Sequence, residues 1–140
     1  MSTPDRPQRP IVLLGRLDAT KGSVMTFRPA GGGDLVLQVS PSAVRAQSRP
    51  DDDGWVTLEL SDAASVTPPG QVARRLNDHG GGTGGSNAAC VEAYRRKCKT
   101  SPDQHSPGWC DSAEAARQWG WMCDIFGPPG APHPVPWVIA

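Results

Sequence analysis

Residues 90–123 read CVEAYRRKCKTSPDQHSPGWCDSAEAARQWGWMC and hold all four cysteines of the 140-residue chain. The stretch predicts two helices joined by a polar loop that prolines interrupt. Asn87 is the expected N-cap of the first, which runs through Cys90, Glu92, Tyr94 and Cys98 until Ser101-Pro102 stops it. Cys90, Tyr94 and Cys98 recur every fourth residue and so lie along one face. The second helix is expected to start from Asp111 as N-cap, with Glu114 three residues on in a capping-box pattern. Gly127-Pro128-Pro129 ends it. Ala116, Trp119, Cys123 and Phe126, with Met122 beside them, give it an apolar face that needs a partner.

Helix geometry limits how these cysteines can pair. Eight residues of helix rise roughly 12 Å, whereas a disulfide needs Cα atoms within about 7 Å. Cys90 and Cys98 therefore cannot bond on one helix, nor can Cys110 and Cys123. In an antiparallel hairpin the nested pairs Cys98–Cys110 and Cys90–Cys123 are the expected choice among the three connectivities. Zinc ligation would show closer spacing than intervals of 7, 11 and 12 residues, with His105 alone in the loop. Reduced, buried thiols are the remaining alternative.

Outside the hairpin, composition sets the bounds. Lys+Arg and Asp+Glu number 14 each, giving a formal charge of zero, so the whole-chain footprint of a nucleic-acid binder is missing. The 16 glycines and 15 prolines exceed ordinary usage and cluster at 29–33, 68–70, 80–85 and 127–136, so loops and linkers occupy much of the chain. The preference for Arg over Lys, with abundant Ala, Gly, Pro, Val and Asp, is the bias of a GC-rich bacterial or phage gene. MSTPDRPQRPIVLLGRL lacks the basic region and long apolar core of a signal peptide, and no run reaches the ~18–20 apolar residues of a membrane span. Disulfides nonetheless favour an oxidising setting. Cytoplasmic synthesis followed by signal-independent export or virion assembly reconciles the two.

The chain divides into a flexible arm at 1–10, a small β module at 11–79, a Gly-rich linker at 80–86, the Cys-stapled hairpin at 87–127 and a Pro-rich tail at 128–140. Within the module, strands are expected at Ile11–Leu17, Ser23–Arg28 and Leu35–Val39, forming a meander. Pro41–Ala46 reads as a helical or irregular connection and Ser48–Gly54 as a loop. Trp55–Leu60 alternates, with Val56, Leu58 and Leu60 on one face and Trp55, Thr57 and Glu59 on the other. Ser61–Val66 is expected to continue that strand past a bulge, and Gln71–His79 to form helical turns. The fold class is α+β: a small N-terminal antiparallel sheet or partial barrel followed by a disulfide-stapled helical hairpin. In the tail, Trp137 and Ile139 are expected to dock on the protein itself or on a partner, self-docking being the default.

No motif supports catalysis or a cofactor. GGGTGG at 80–85 lacks the strand before it and the Gly-Lys-Ser/Thr after it that a phosphate loop needs, and Asp51-Asp52-Asp53-Gly54 suits a solvated turn better than a calcium loop. His79, His105 and His133 fall in separate loop settings. The expected contacts for a macromolecular partner are Trp109, Trp119, Trp121 and Trp137, since Trp is frequent in interface hot spots, with Arg95, Arg96 and Lys97 as a basic edge. A protein partner ranks above nucleic acid, because Glu92 can neutralise Arg95 and Arg96; oligomerisation is compatible with either. The expected function is non-catalytic binding or assembly. Two alternatives are a secreted effector or precursor cut near Gly85, and a small zinc- or thiol-dependent protein.

Overall fold

The computed structural model describes residues 11–21, 23–75, 88–100, 107–129 and 135–140. The arm, the 80–86 linker, Asn87 and the three histidines lie outside them. Eight strands form one sheet: β1 (Val12–Lys21), β2 (Val24–Pro29), β3 (Leu37–Val39), β4 (Val44–Gln47), β5 (Trp55–Leu60), β6 (Ser65–Thr67), β7 (Arg74–Arg75) and β8 (Trp137–Ile139), in the order β4-β5-β1-β2-β3-β8-β6-β7. Three helices follow the first seven strands: α1 (Ala88–Thr100), α2 (Pro107–Cys110) and α3 (Ala113–Phe126). The α+β arrangement holds.

The meander β1-β2-β3 forms as alternation predicts, with Leu13, Phe27, Leu37, Val56 and Leu58 all buried on the covered face. Three local expectations fail. Pro41–Ala43 makes one 3-10 turn, after which β4 pairs with β5 instead of continuing an irregular connection. The chain turns at Ser61, with Ala64 N–H donating to Ser61 O (3.0 Å), so β6 is a separate strand and not an extension of β5. Arg74 and Arg75 are strand, not helix, because their backbone finds Val66 and Ser65 as ladder partners.

The C-terminal strand β8 occupies an interior position in this sheet. It runs parallel to β3 (Leu37↔Trp137, Val39↔Ile139) and antiparallel to β6 (Val66↔Ile139). Ser65 and Ala140 exchange backbone hydrogen bonds at 2.8 and 3.0 Å, while Ser40 N–H donates to Ile139 O at 2.8 Å. The tail thus docks on the protein itself, and it is what joins β6 and β7 to the rest of the sheet.

The hairpin is stapled as its spacing predicts: Cys90 bonds Cys123 and Cys98 bonds Cys110, with Cα separations of 6.2 and 5.9 Å. Each loop closure contributes on the order of 3 kcal/mol. The N-cap of α3 is Ser112, not Asp111. Ser112 Oγ accepts from Ala115 N–H at 3.1 Å, whereas the Asp111 carboxylate faces Lys99 Nζ at 3.1 Å. The short helix α2, absent from the sequence pattern, sets this register: Ser112 Oγ–H donates to the Trp109 carbonyl at 2.6 Å. Gly127 closes α3, donating to Cys123 O.

Hairpin and sheet share one hydrophobic core, and polar contacts set their orientation. Ala30 N–H donates to Leu14 O at 2.8 Å as the last rung between β1 and β2. A continued antiparallel ladder would return a bond from Leu14 N–H to Ala30 O. Instead the side-chain amide of Gln118 pairs with Leu14, accepting from its N–H at 2.7 Å and donating to its O at 3.0 Å. Ala30 O is taken by Trp119 Nε1–H at 3.1 Å. Beyond Ala30 the turn carries Gly31 at φ 79°, where a Cβ would come within 2.8 Å of Trp119 Nε1, so the backbone can wrap the indole only with glycine there.

Two outcomes follow from this packing. Gln118→Leu should lower stability by about 1–3 kcal/mol, since it strands the Leu14 N–H, while the Leu14 carbonyl keeps its bond from Ala30 N–H. Gln118→Glu keeps the acceptor for Leu14 N–H but sets a buried carboxylate against the Leu14 carbonyl, and should cost at least as much; urea unfolding with the disulfides intact measures both. Cys98 and Cys110 are buried while Cys90 and Cys123 are half-buried. Graded reduction with thiol trapping, read by peptide mass, should therefore label Cys90 and Cys123 first.

Candidate binding surface

The tryptophans singled out by sequence lie mostly inside the molecule. Trp119 is fully buried and Trp121 is 3% exposed, while Trp109 and Trp137 are half-buried. Trp119 stacks with Tyr94 of α1 (centroids 6.4 Å apart, planes 10° apart) and receives the edge of Trp109 at 5.4 Å. Trp121 meets Phe126 at 5.4 Å, and Phe126 meets Trp137 of β8 at 4.9 Å. Two tryptophans about 200° apart on one helix are both buried because α3 has neighbours on two sides. One side is the α1 and Gly31 contact, the other the aromatic contact that leads to the tail.

The basic edge of α1 is partly neutralised, by two carboxylates against four cations. Arg95 donates to Glu92 at 2.8 Å and to Cys110 O at 3.2 Å, and lies 3.9 Å from Asp111. Arg96, the most exposed at 79% of its side chain, is 3.9 Å from Glu92, and Lys99 pairs with Asp111. Lys97 lies against the Gly33 turn, where a Cβ would meet its Nζ at 2.9 Å. Such surface pairs contribute little stability, but they tie three of the four cations of α1 to Glu92 or Asp111.

The opposite face of the sheet brings together residues that pattern alone did not connect. Alternation from buried Leu13 and Gly15 turns Val12 and Arg16 outward, and the β1–β5 register sets Arg16 directly across from Trp55. The Arg16 guanidinium carbon sits 4.5 Å from the Trp55 ring centroid, a cation–π contact worth about 0.5–2 kcal/mol. On the other side of β1, Arg28 is the cross-strand partner of Arg16 and is ion-paired with Asp18. Trp55 is held from behind: its N–H donates to Asp51 Oδ1 at 2.9 Å, and the same oxygen accepts from Asp53 N–H at 2.9 Å. The Asp51–Gly54 stretch is a turn that fixes the start of β5. Val12, 42% exposed, and Val138, 37% exposed, add apolar surface, on β1 and on β8 respectively.

Arg16 is half-buried, and among the described residues it makes no hydrogen bond or ion pair. Its Nε is sealed from solvent without a partner, whereas Nη1 and Nη2 remain open to it. The guanidinium therefore presents a fixed fork of donors, the geometry that matches a carboxylate. Among the described residues no three His, Cys, Asp or Glu side chains converge as metal ligands, and no helix is long and apolar enough to cross a membrane. The four cysteines are disulfide-bonded. The chain shows no match to a protein-family model, to a curated protein or to a solved structure.

Tyr94, the only tyrosine, reports on the aromatic contact. Burial pushes its pKa up to about 12 from 10.0, and its hydroxyl donates to Gly127 O at 2.6 Å. The unfolded chain ionises first as pH rises, so stability is intact below pH 10 and is lost as pH climbs toward 12. Rapid-mixing absorbance at 295 nm should give a midpoint near pH 12 for native protein and near 10 in denaturant, and Tyr94→Phe should flatten the alkaline loss of stability.

Proposed function

We propose that this protein is a non-catalytic binding or assembly component that meets a macromolecular protein partner through the outer face of its sheet. The observation that carries this is the Trp55–Arg16–Arg28 row across β5, β1 and β2, placed on a scaffold whose helices are doubly stapled. Its aromatic support is fixed, its central cation has no anion among the described residues, and apolar Val12 lies on the same face. Trp119 and Trp121, being interior, act in this picture as scaffold. Two disulfides suit work outside a reducing compartment, as an exported or particle-borne protein.

The packing counts against release of a C-terminal product near Gly85. Such a fragment would leave behind the β3 and β6 partners of β8, the Leu14 partner of Gln118 and the Ala30 partner of Trp119. It would expose a largely apolar helix. A thiol-dependent activity would first require reduction of a staple.

Photo-crosslinking residues placed at Val12, Thr57 and Val138, with Glu114 on α3 as a control, test the surface. A discrete adduct from the sheet positions that re-forms with the purified partner is the expected result. Adducts only from the Glu114 position, or none at any position, would defeat this assignment.

A further inference from the structure

We infer that Arg16 is an anchor for a side-chain carboxylate of an acidic, extended protein segment lying across β5, β1 and β2. This rests on the assignment of the outer sheet face as the binding surface and names the chemistry it would recognise.

Arg16 differs from the other arginines of the described surface. Arg95 and Arg28 have carboxylate partners, and Arg45 and Arg49 are exposed. Arg16 is half-buried and has no counterion among the described residues. A free arginine side chain loses much rotamer entropy when it binds an anion. Here the Trp55 ring, 4.5 Å below the guanidinium carbon, already restricts it, so less is lost on binding. Sealing Nε leaves Nη1 and Nη2 as the accessible pair, and these can grip a carboxylate end-on with two parallel N–H···O bonds. Arg28, directly across the ladder, is answered by Asp18 and so offers no second unpaired site.

A carboxylate fits better than a nucleic-acid phosphate. Phosphate tracking needs several cations in line, whereas the chain is net neutral and the α1 cations are largely bonded to Glu92 and Asp111. The Trp55 ring is occupied by Arg16 and only 6% exposed, so it offers no face for a base to stack upon. Leu14 and the half-buried Thr57 opposite it, with Val12 one outward position further on, suit the apolar and β-branched side chains of an extended peptide, while Glu59 across from Val12 confines the acidic contact to the Arg16 end of the face.

The test uses full-length, disulfide-intact protein and a synthetic glutamate-rich peptide, with oligothymidylate as the competing probe. Titration is followed by calorimetry and by the NMR resonances of Arg16 Nε–H and the Trp55 indole, which separate this site from the other four tryptophans. Saturable peptide binding that shifts both resonances is expected. Arg16→Gln should weaken it about tenfold or more, as loss of a charge-assisted pair predicts, while Arg96→Gln leaves it unchanged. Arg16→Lys retains charge and stem but loses the fork; it should bind several-fold more weakly than wild type, and it serves if Arg16→Gln fails to fold. Unmoved resonances, equal loss in Arg96→Gln, or tighter binding of oligothymidylate would each overturn the assignment. If the peptide fails while the Val12 crosslink still forms, only the carboxylate chemistry is lost; if both fail, the surface itself is wrong.

Discussion

The β1–β2 ladder separates at Leu14 and Ala30, and the rest of the architecture depends on how that break is closed. A strand pair that splays in a protein interior leaves backbone groups that cost about 1–3 kcal/mol each when unsatisfied. Consecutive residues of α3 supply what is missing: Gln118 gives Leu14 an amide in place of a peptide group, and Trp119 caps the carbonyl of Ala30. Because both come from adjacent positions on one helix, they fix its height and rotation over the sheet together. A purely apolar contact would permit sliding. Here the helix has one register.

That register propagates in two directions. Toward α1, Trp119 sets the plane on which Tyr94 stacks, and the Tyr94 hydroxyl reaches the carbonyl of Gly127 where α3 ends. The disulfides add a covalent version of the same constraint, joining α1 to α3 through Cys90–Cys123 and to α2 through Cys98–Cys110. Toward the tail, Phe126 contacts both Trp121 and Trp137, so the end of α3 meets the start of β8. β8 then joins β3 to β6. The last strand of the chain, far from β3 and β6 in sequence, is structurally interior, so the sheet is complete only once the helices are in place.

What was legible in sequence was whatever local geometry controls. Helical rise alone forbids two of the possible cysteine pairs, and the nested pattern follows from the lengths on either side of the turn. Gly127-Pro128-Pro129 and the alternation of Trp55–Leu60 likewise act within a few residues. Less legible was whatever depends on a distant partner. Three residues at β8 carry no period, and Arg74-Arg75 resembles helix as much as strand until Val66 and Ser65 are seen beside it. Gln118 reads as a polar position on an amphipathic helix, because nothing nearby in sequence shows that a strand will need its amide. Trp119 and Trp121 both read as partner contacts in sequence, yet α3 has two buried sides and encloses both. Trp55 was correctly separated from Val56, Leu58 and Leu60, but its significance lies in standing opposite Arg16. That register is a property of the folded sheet.

The covered and outer faces of the sheet solve different electrostatic problems. On the covered side, neutral hydrogen bonds from Gln118 and Trp119 satisfy the backbone, and no isolated charge is enclosed among the described residues. On the outer side a cation is half-buried against Trp55 with one nitrogen sealed, an arrangement that loses hydration without gaining an anion. The cation–π contact, of order 0.5–2 kcal/mol, offsets part of a cost of about 1–3 kcal/mol for the unsatisfied Nε, and the rest must come from packing elsewhere. A fold stapled twice and registered through Gln118 can sustain that local cost. A carboxylate meeting Nη1 and Nη2 would add charge-assisted bonds at a guanidinium already held in place, and it is this restriction by Trp55 that favours association. The stability of the stapled core and the chemistry offered at Arg16 are in this sense one design: rigidity behind the sheet keeps a poorly solvated cation fixed on its surface.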